Sequence, residues 1–322
     1  MNPPIWRQIQ KTNITSFEEL SSFLLLNEEQ LLQLDVTPRF VLNLPRRIAE
    51  KMAKSDISDP LFVQFVPLIK EREKSAGFVS DPVQDTSFVK EHKLLQKYKS
   101  RVLLVTTGAC AMHCRFCFRQ NYPYETENKT FTKDLELIGK DTSIEEVILS
   151  GGDPLSLSDT TLQALLNDLQ AISHVKRIRF HTRFPIGIPE RIDDNFLAVL
   201  QSSSKQIWFV MHSNHLNEYD DDIWKALKRL QCLGIPVLNQ TVLLKGVNDS
   251  VETLQQFFTE LVNHGITPYY LHQLDRVQGA AHFEVPITTG KALIQELTSR
   301  LSGYAVPKYV QEIAGRESKT AL

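Results

Sequence analysis

The chain has 322 residues, 42% of them hydrophobic, and a formal net charge of −2, with 36 Lys and Arg against 38 Asp and Glu. That suffices for one barrel-sized core with an appendage, and the scattered basic residues give no nucleic-acid footprint. No apolar stretch approaches the roughly 18 residues of a membrane span, residues 1–10 lack the basic-then-apolar layout of a secretory leader, and four cysteines, three of them in one loop, make no disulfide framework. A soluble, cytoplasmic protein without membrane or nucleic-acid partners is expected.

The first 95 residues differ in pattern from the remainder of the chain. Ser16 is placed to cap a helix whose first turn holds Glu18 and Glu19, followed by Leu20, Phe23, Leu24 and Leu31 at helical spacing. Pro38, Pro45 and Pro60 then cut the segment into short helices, with 46–54 and 60–70 as candidates. Nothing here matches a site constellation, so the expectation is a helical packing extension. Residues 75–93 are largely polar, include Pro82 and read as a linker.

Lys97, Tyr98 and Arg101 stand just ahead of the apolar run 102–105, which reads as a short buried strand ended by Thr106, Thr107 and Gly108. Directly after it come Cys110, Cys114 and Cys117, spaced C-x3-C-x2-C. Three thiolates on one loop can hold three irons of a four-iron cluster and leave the fourth open to an outside ligand. A closed zinc site needs a fourth protein ligand; Cys232 lies far off in a helical pattern and His113 falls between the thiols. Zinc and unliganded thiols are the alternatives.

Beyond residue 100, strand patterns at 101–105, 146–149, 177–181, 207–212, 236–244 and 267–274 alternate with helical patterns at 158–171, 189–201, 221–233 and 250–264. Such alternation predicts an α/β parallel sheet with right-handed crossovers and a site at the carboxyl ends of the strands. Polar residues stand at those ends: Ser150-Gly151-Gly152-Asp153, where two glycines permit close backbone approach, then His181-Thr182-Arg183 and His212-Ser213-Asn214-His215.

The cysteine spacing after a first strand resembles the signature of the radical S-adenosylmethionine enzymes, and Cys110-Ala111-Met112-His113-Cys114-Arg115-Phe116-Cys117-Phe118-Arg119 is similar to the lysine 2,3-aminomutase branch. The resemblance implies a partial (β/α)6 TIM-type barrel over 96–303, a helical region and linker over 1–95, and a short cofactor-binding segment over 304–322. It implies a [4Fe-4S] cluster on Cys110, Cys114 and Cys117. S-adenosylmethionine would sit on the open iron, and one electron from a donor such as flavodoxin or ferredoxin would cleave it to a 5′-deoxyadenosyl radical. Gly151, Gly152 and Asp153 fall in the stretch that meets the amino group of S-adenosylmethionine. His212 and Gln240 are expected cofactor contacts, the latter in the segment 239–249 that resembles the family's fifth strand.

The tail Ile313-Ala314-Gly315-Arg316-Glu317-Ser318-Lys319-Thr320 stands where the family carries a glycine-rich loop and the lysine that holds pyridoxal phosphate, which points to Lys319; only Gly315 of the glycine run is kept. By the same resemblance Lys97, Tyr98 and Arg101 meet the phosphate, Arg119 clamps the carboxylate of free lysine, and Asp275 and Glu312 receive its side-chain ammonium. Glutamate at 312 departs from the aspartate of the catabolic enzymes. The implied reaction moves the amino group of L-lysine from Cα to Cβ through radicals.

The chain runs three residues past Lys319, without the zinc-binding extension of the catabolic enzymes. It thus resembles the branch that makes (R)-β-lysine for a separate lysyl ligase to attach to elongation factor P. A catabolic lysine or glutamate 2,3-aminomutase is the neighbouring alternative. A non-catalytic iron-sulfur redox or sensor protein and a structural zinc module are readings from other classes.

Overall fold

The computed structural model describes residues 3–124 and 130–322. An antiparallel hairpin of β1 (Val89–Glu91) and β2 (Leu94–Tyr98) pairs through β2 with β3 (Arg101–Thr107). The chain then lays down β4 (Glu146–Gly151), β5 (Arg177–Thr182), β6 (Gln206–His212), β7 (Val237–Val242), β8 (Thr267–His272) and β9 (Lys308–Gln311), each parallel to the strand before it. The two-residue β10 (Thr320–Ala321) returns antiparallel on β9. All ten strands keep sequence order in one sheet.

Six helices make the crossovers: Thr132–Lys140, Asp159–Ala171, Asp194–Gln201, Asp221–Cys232, Val251–Asn263 and Ile287–Arg300. The fold is thus the expected partial (β/α)6 barrel, extended by β9 into a seventh parallel strand. Ser158, Asp193, Asp220 and Ser250 each accept a backbone N–H from the first turn of the helix they precede, satisfying a donor that has no intrahelical partner. Capping also explains one difference from the pattern. The helix expected over 189–201 opens as a 3-10 turn at Pro189–Arg191, and the α-helix starts only after Asp193.

Alternation along each strand sorts the two faces of the sheet. Leu104, Leu149, Phe180 and Phe209 lie side by side in register and are wholly buried; Phe180 and Phe209 pack against Phe196 of the helix outside them. Their sequence neighbours Ser150, His181 and Val210 therefore face the barrel interior. That interior is polar: Arg179 ion-pairs with Glu146 inside it.

The amino-terminal extension contributes Leu20, Leu24, Leu44, Ile48, Phe62 and Phe65 to the same core as the barrel. Ser16 caps Phe17–Leu24 as expected. The helix expected over 60–70 stops at Phe65 because Val66, preceding Pro67, is pushed to extended backbone. Segment 75–93, a linker on polarity alone, instead holds β1 and a 3-10 turn, Asp85–Phe88, whose first residue is buried. Strand β1 has three residues, too few for periodicity to betray. No helix among the described residues is long and apolar enough to cross a membrane.

Candidate active site

The loop after β3 carries Cys110, Cys114 and Cys117, and the amino-terminal extension holds it in place. Asn13 Nδ2 donates to the Ala111 carbonyl at 2.7 Å. The His113 and Arg115 amides donate to the carbonyls of Asn43 and Gln64 at 3.0 and 2.8 Å. The His113 ring stacks on Phe40 at 4.3 Å between centroids, with Nδ1 2.8 Å from the Val41 carbonyl. Arg115 ion-pairs with Glu71 at 2.6 Å. The extension is thus a brace for the cysteine loop. Part of its grip comes from the backbone carbonyls of Val41, Asn43 and Gln64, which leave no residue-type signature.

The three thiols lie close enough to act on one another electrostatically. Among the described residues no three His, Cys, Asp or Glu side chains converge as the shell of a single ion. A cluster asks for something else, since its three thiolates bind three different irons. Burial pushes all three thiols up, Cys117 to about 11, so thiolates here need positive charge beside them. The irons of a cluster supply it, and Arg183 Nη1 already lies 3.2 Å from Cys114 Sγ. These residues fit an iron-sulfur cluster.

Gly151 and Gly152 are glycines for a spatial reason. Gly151 has φ +123°, and a Cβ on Gly152 would stand 2.3 Å from the Ala109 carbonyl oxygen. The amides of Gly152 and Asp153 donate to the carbonyls of Thr107 and Ala109 at 2.6 and 2.8 Å, so this turn locks against the cysteine loop. Gly152→Ala should therefore destabilise the fold by about 1–3 kcal/mol and lower iron content in anaerobically reconstituted protein. Wild-type iron binding at wild-type Tm would contradict the packing argument. The Asp153 carboxylate, raised to about 6 by burial, accepts from Thr182 Oγ1 and from the amides of Leu155, Arg183 and Phe184. It ties the end of β4 to the end of β5.

Across the mouth lies Lys319, brought back by β10. Its Nζ is 2.8 Å from Glu312 Oε2, whose other oxygen accepts from Tyr98 Oη at 2.6 Å. Burial would raise the Glu312 carboxyl, but Lys319, Tyr98 and Lys97 together hold it below its ordinary value. Lys319 also acts electrostatically on His181, His212, His272 and Asp275, which places its amine in their midst. Burial keeps these imidazoles uncharged, His212 pushed down to about 3. The His212 ring and the Gln240 carboxamide touch, and Gln240 Nε2 is 3.5 Å from His181 Nδ1. Burial raises Asp275 to about 7, against the pull of Lys319.

Arg119 is 8% exposed; its Nε donates to Asp85 Oδ2 at 2.7 Å and its Nη1 to Ser150 Oγ at 3.2 Å. Lys97 holds the other Asp85 oxygen at 2.7 Å and lies 3.9 Å from Glu312. Burial would raise Asp85, yet the two cations keep it below the ordinary carboxylate value. Asp85, inside the polar stretch read as a linker, is the functional neighbour that pattern reasoning missed. Of the three residues expected at a phosphate, Lys97 is engaged by Asp85 and the Val83 carbonyl and Tyr98 by Glu312. Arg101 stacks on the Tyr98 ring at 4.5 Å and, among the described residues, has no carboxylate within ion-pair distance.

The interior also keeps polar atoms without partners. His181 Nε2 and Trp208 Nε1 are buried and have no hydrogen-bond partner among the described residues, which is costly unless a ligand completes them. With the Arg101 guanidinium and the Lys319 amine, they fit an anionic ligand rich in acceptors, as pyridoxal phosphate is.

The sequence profile of the Radical SAM superfamily matches residues 104–258. The chain is 40% identical over 314 residues to the L-lysine 2,3-aminomutase of Escherichia coli (strain K12), covering 96% of this chain and 92% of the relative. It is 39% identical to that of Haemophilus influenzae, covering 98% and 94%. The L-lysine 2,3-aminomutase of Clostridium subterminale is 31% identical, with 98% of this chain and 77% of the relative covered. Streptococcus suis SuiB bound to S-adenosylmethionine superposes with a TM-score of 0.50 at 18% identity, over 72% of this chain and 54% of that one. A radical SAM methyltransferase from Sphaerobacter thermophilus gives 0.50 at 18%, over 67% and 68%.

Proposed function

The chain belongs to the lysine 2,3-aminomutase family of radical S-adenosylmethionine enzymes, and from that premise we propose that it converts L-lysine to β-lysine with pyridoxal phosphate held on Lys319. The observation that carries the reading is the position of Lys319. A residue near the chain's end is folded back onto Glu312 at the barrel mouth, among the polar ends of the parallel strands whose first loop bears the three cysteines. When bound, the cluster with S-adenosylmethionine supplies a carbon radical, and pyridoxal phosphate supplies an aldehyde and a ring that spreads the unpaired electron.

The chain's own residues bind and orient. Arg119, aimed by Asp85, receives the α-carboxylate of lysine on its remaining guanidinium edge. Asp275 and Glu312 face the side-chain ammonium. Arg101, and Lys97 on release from Asp85, hold the phosphate. Glu312 acts first on Lys319 itself, keeping its Nζ in place until substrate arrives. The longer glutamate side chain suits that double duty, since one carboxylate spans Tyr98 Oη and Lys319 Nζ.

Asp275 gives this reading a pH signature. With its carboxyl near 7 in the free site, about half is protonated at neutrality, and only the ionised form attracts an ammonium. Below about pH 7 lysine binding must therefore expel a proton, and kcat/KM should drop roughly tenfold per unit there. Asp275→Asn should raise KM and flatten that limb. A wild-type profile flat from pH 8 to 5.5 would remove Asp275 from substrate binding.

We further propose that the product is (R)-β-lysine and serves the modification of elongation factor P through a separate ligase. Supporting this are Glu312 at the place of the catabolic aspartate and the near end-to-end match with the shorter relatives. Anaerobic incubation of the pure protein with S-adenosylmethionine, pyridoxal phosphate, a reductant and either lysine or glutamate tests substrate and handedness together. Chiral chromatography should find (R)-β-lysine. β-Glutamate, or the S enantiomer, would overturn the assignment.

A further inference from the structure

Arg183, at the end of β5, touches neither Lys319 nor the residues assigned to the substrate, yet its guanidinium reaches a sulfur of the cysteine loop. It is 7% exposed, and its backbone amide is pinned by Asp153 at 2.8 Å. Nη1 lies 3.2 Å from Cys114 Sγ; Nη2 donates to Gln64 Oε1 and to Glu218 Oε2, both at 2.8 Å. The guanidinium lies over the rings of Phe65 and Phe116, at 4.7 and 5.3 Å from their centroids. Glu218 is wholly buried, and its second oxygen accepts the amides of Asn214 and His215 at 2.8 and 3.0 Å. Gln64, from the amino-terminal extension, completes the shell by accepting from Asn214 Nδ2 at 2.9 Å.

We infer that Arg183, backed by Glu218 and Gln64, sets the reduction potential of the cluster on Cys110, Cys114 and Cys117 by donating to the Cys114 sulfur. The inference rests on the three cysteines holding that cluster. Adding an electron makes the cluster more negative. A fixed positive charge 3.2 Å from one ligating sulfur stabilises that reduced state, and a hydrogen bond to the sulfur acts in the same direction. The flanking phenyl rings keep water out, so the interaction is little screened. Glu218, bound to the other terminal nitrogen of the guanidinium, opposes its field at the sulfur, and Arg183 has the larger effect of the two. The amino-terminal extension thereby acquires a part in the chemistry, since Gln64 fixes one guanidinium nitrogen and its own carbonyl holds Arg115 of the cysteine loop.

The two charges give opposite predictions, which a merely structural role does not. Iron and sulfide analysis of reconstituted wild-type protein first establishes the cluster; its absence would defeat the cluster assignment, separately from any potential. In an EPR-monitored redox titration, Arg183→Gln should lower the equilibrium constant for reduction at least tenfold, which is about 59 mV for a one-electron couple. Glu218→Gln should raise the midpoint, and the double variant should return toward wild type. Arg183→Lys, which keeps the charge, should shift it less than Arg183→Gln. Midpoints that stay at the wild-type value, or move the same way in both single variants, overturn the inference. Where Arg183→Gln takes up no iron, Glu218→Gln decides alone: a raised midpoint supports it, and an unchanged or lowered one overturns it.

Discussion

Replacing Lys319 with alanine should abolish turnover of lysine, by at least about three orders of magnitude, and should leave iron content and the cluster's visible absorbance at wild-type values. On the proposed reading its amine is the nucleophile that holds the aldehyde cofactor, and it stands apart from the cysteine loop in both sequence and contacts. The structural cost is small. The Lys319 side chain is 28% exposed, and Glu312 keeps its hydrogen bond from Tyr98. Lys319→Arg sharpens the test, because it restores a cation beside Glu312 without a nucleophilic amine; it should be as inactive as the alanine variant. Borohydride treatment of the wild type with pyridoxal phosphate should leave the cofactor attached to the peptide containing Lys319 and to no other. Activity in Lys319→Arg, or cofactor attached elsewhere, removes the covalent role.

Arg119→Lys should lower kcat/KM for lysine about a hundredfold or more. A lysine ammonium keeps the charge but lacks the planar fork that grips a carboxylate at two points. Asp85 is the reason the effect is large. Its carboxylate fixes the guanidinium through Nε at 2.7 Å, so the remaining edge arrives aimed, and a shorter, rounder cation would fall back onto Asp85. Asp85→Asn should show a smaller loss, chiefly in KM, because the guanidinium stays but its aim is loosened. Lysine amide, which has no carboxylate, separates recognition from folding: wild type and Arg119→Lys should handle it equally poorly. A hundredfold difference that persists with the amide would mean that Arg119 supports the fold and does not bind substrate.

What pattern reasoning reaches depends on how each feature is encoded. The cysteine loop and the six barrel strands are legible because thiol spacing is local and strand–helix alternation repeats over most of the chain. Strands β9 and β10, with four and two residues, are too short to carry a period, although they deliver Glu312 and Lys319. Lys319 itself reads as an unremarkable tail lysine on physical grounds; only resemblance points to it. Asp85 hides because a polar run around a lone proline, here Pro82, ordinarily marks an exposed loop, and its burial comes from Lys97 and Arg119 closing over it. The extension's grip on the cysteine loop is invisible for another reason: Asn43 and Gln64 act largely through carbonyls that every residue possesses. Gly152 is the opposite case, where the residue type records a close approach that the structure then displays.

If the cysteine loop and Lys319 serve one cavity, a radical made at the first takes hydrogen from lysine held at the second. Reconstituted protein given S-adenosylmethionine, pyridoxal phosphate, a reductant and lysine carrying deuterium at Cβ tests this in a single mass spectrum. Deuterium is expected in 5′-deoxyadenosine or recovered S-adenosylmethionine alongside β-lysine. Cleavage of S-adenosylmethionine with no deuterium transferred from lysine would contradict the shared cavity.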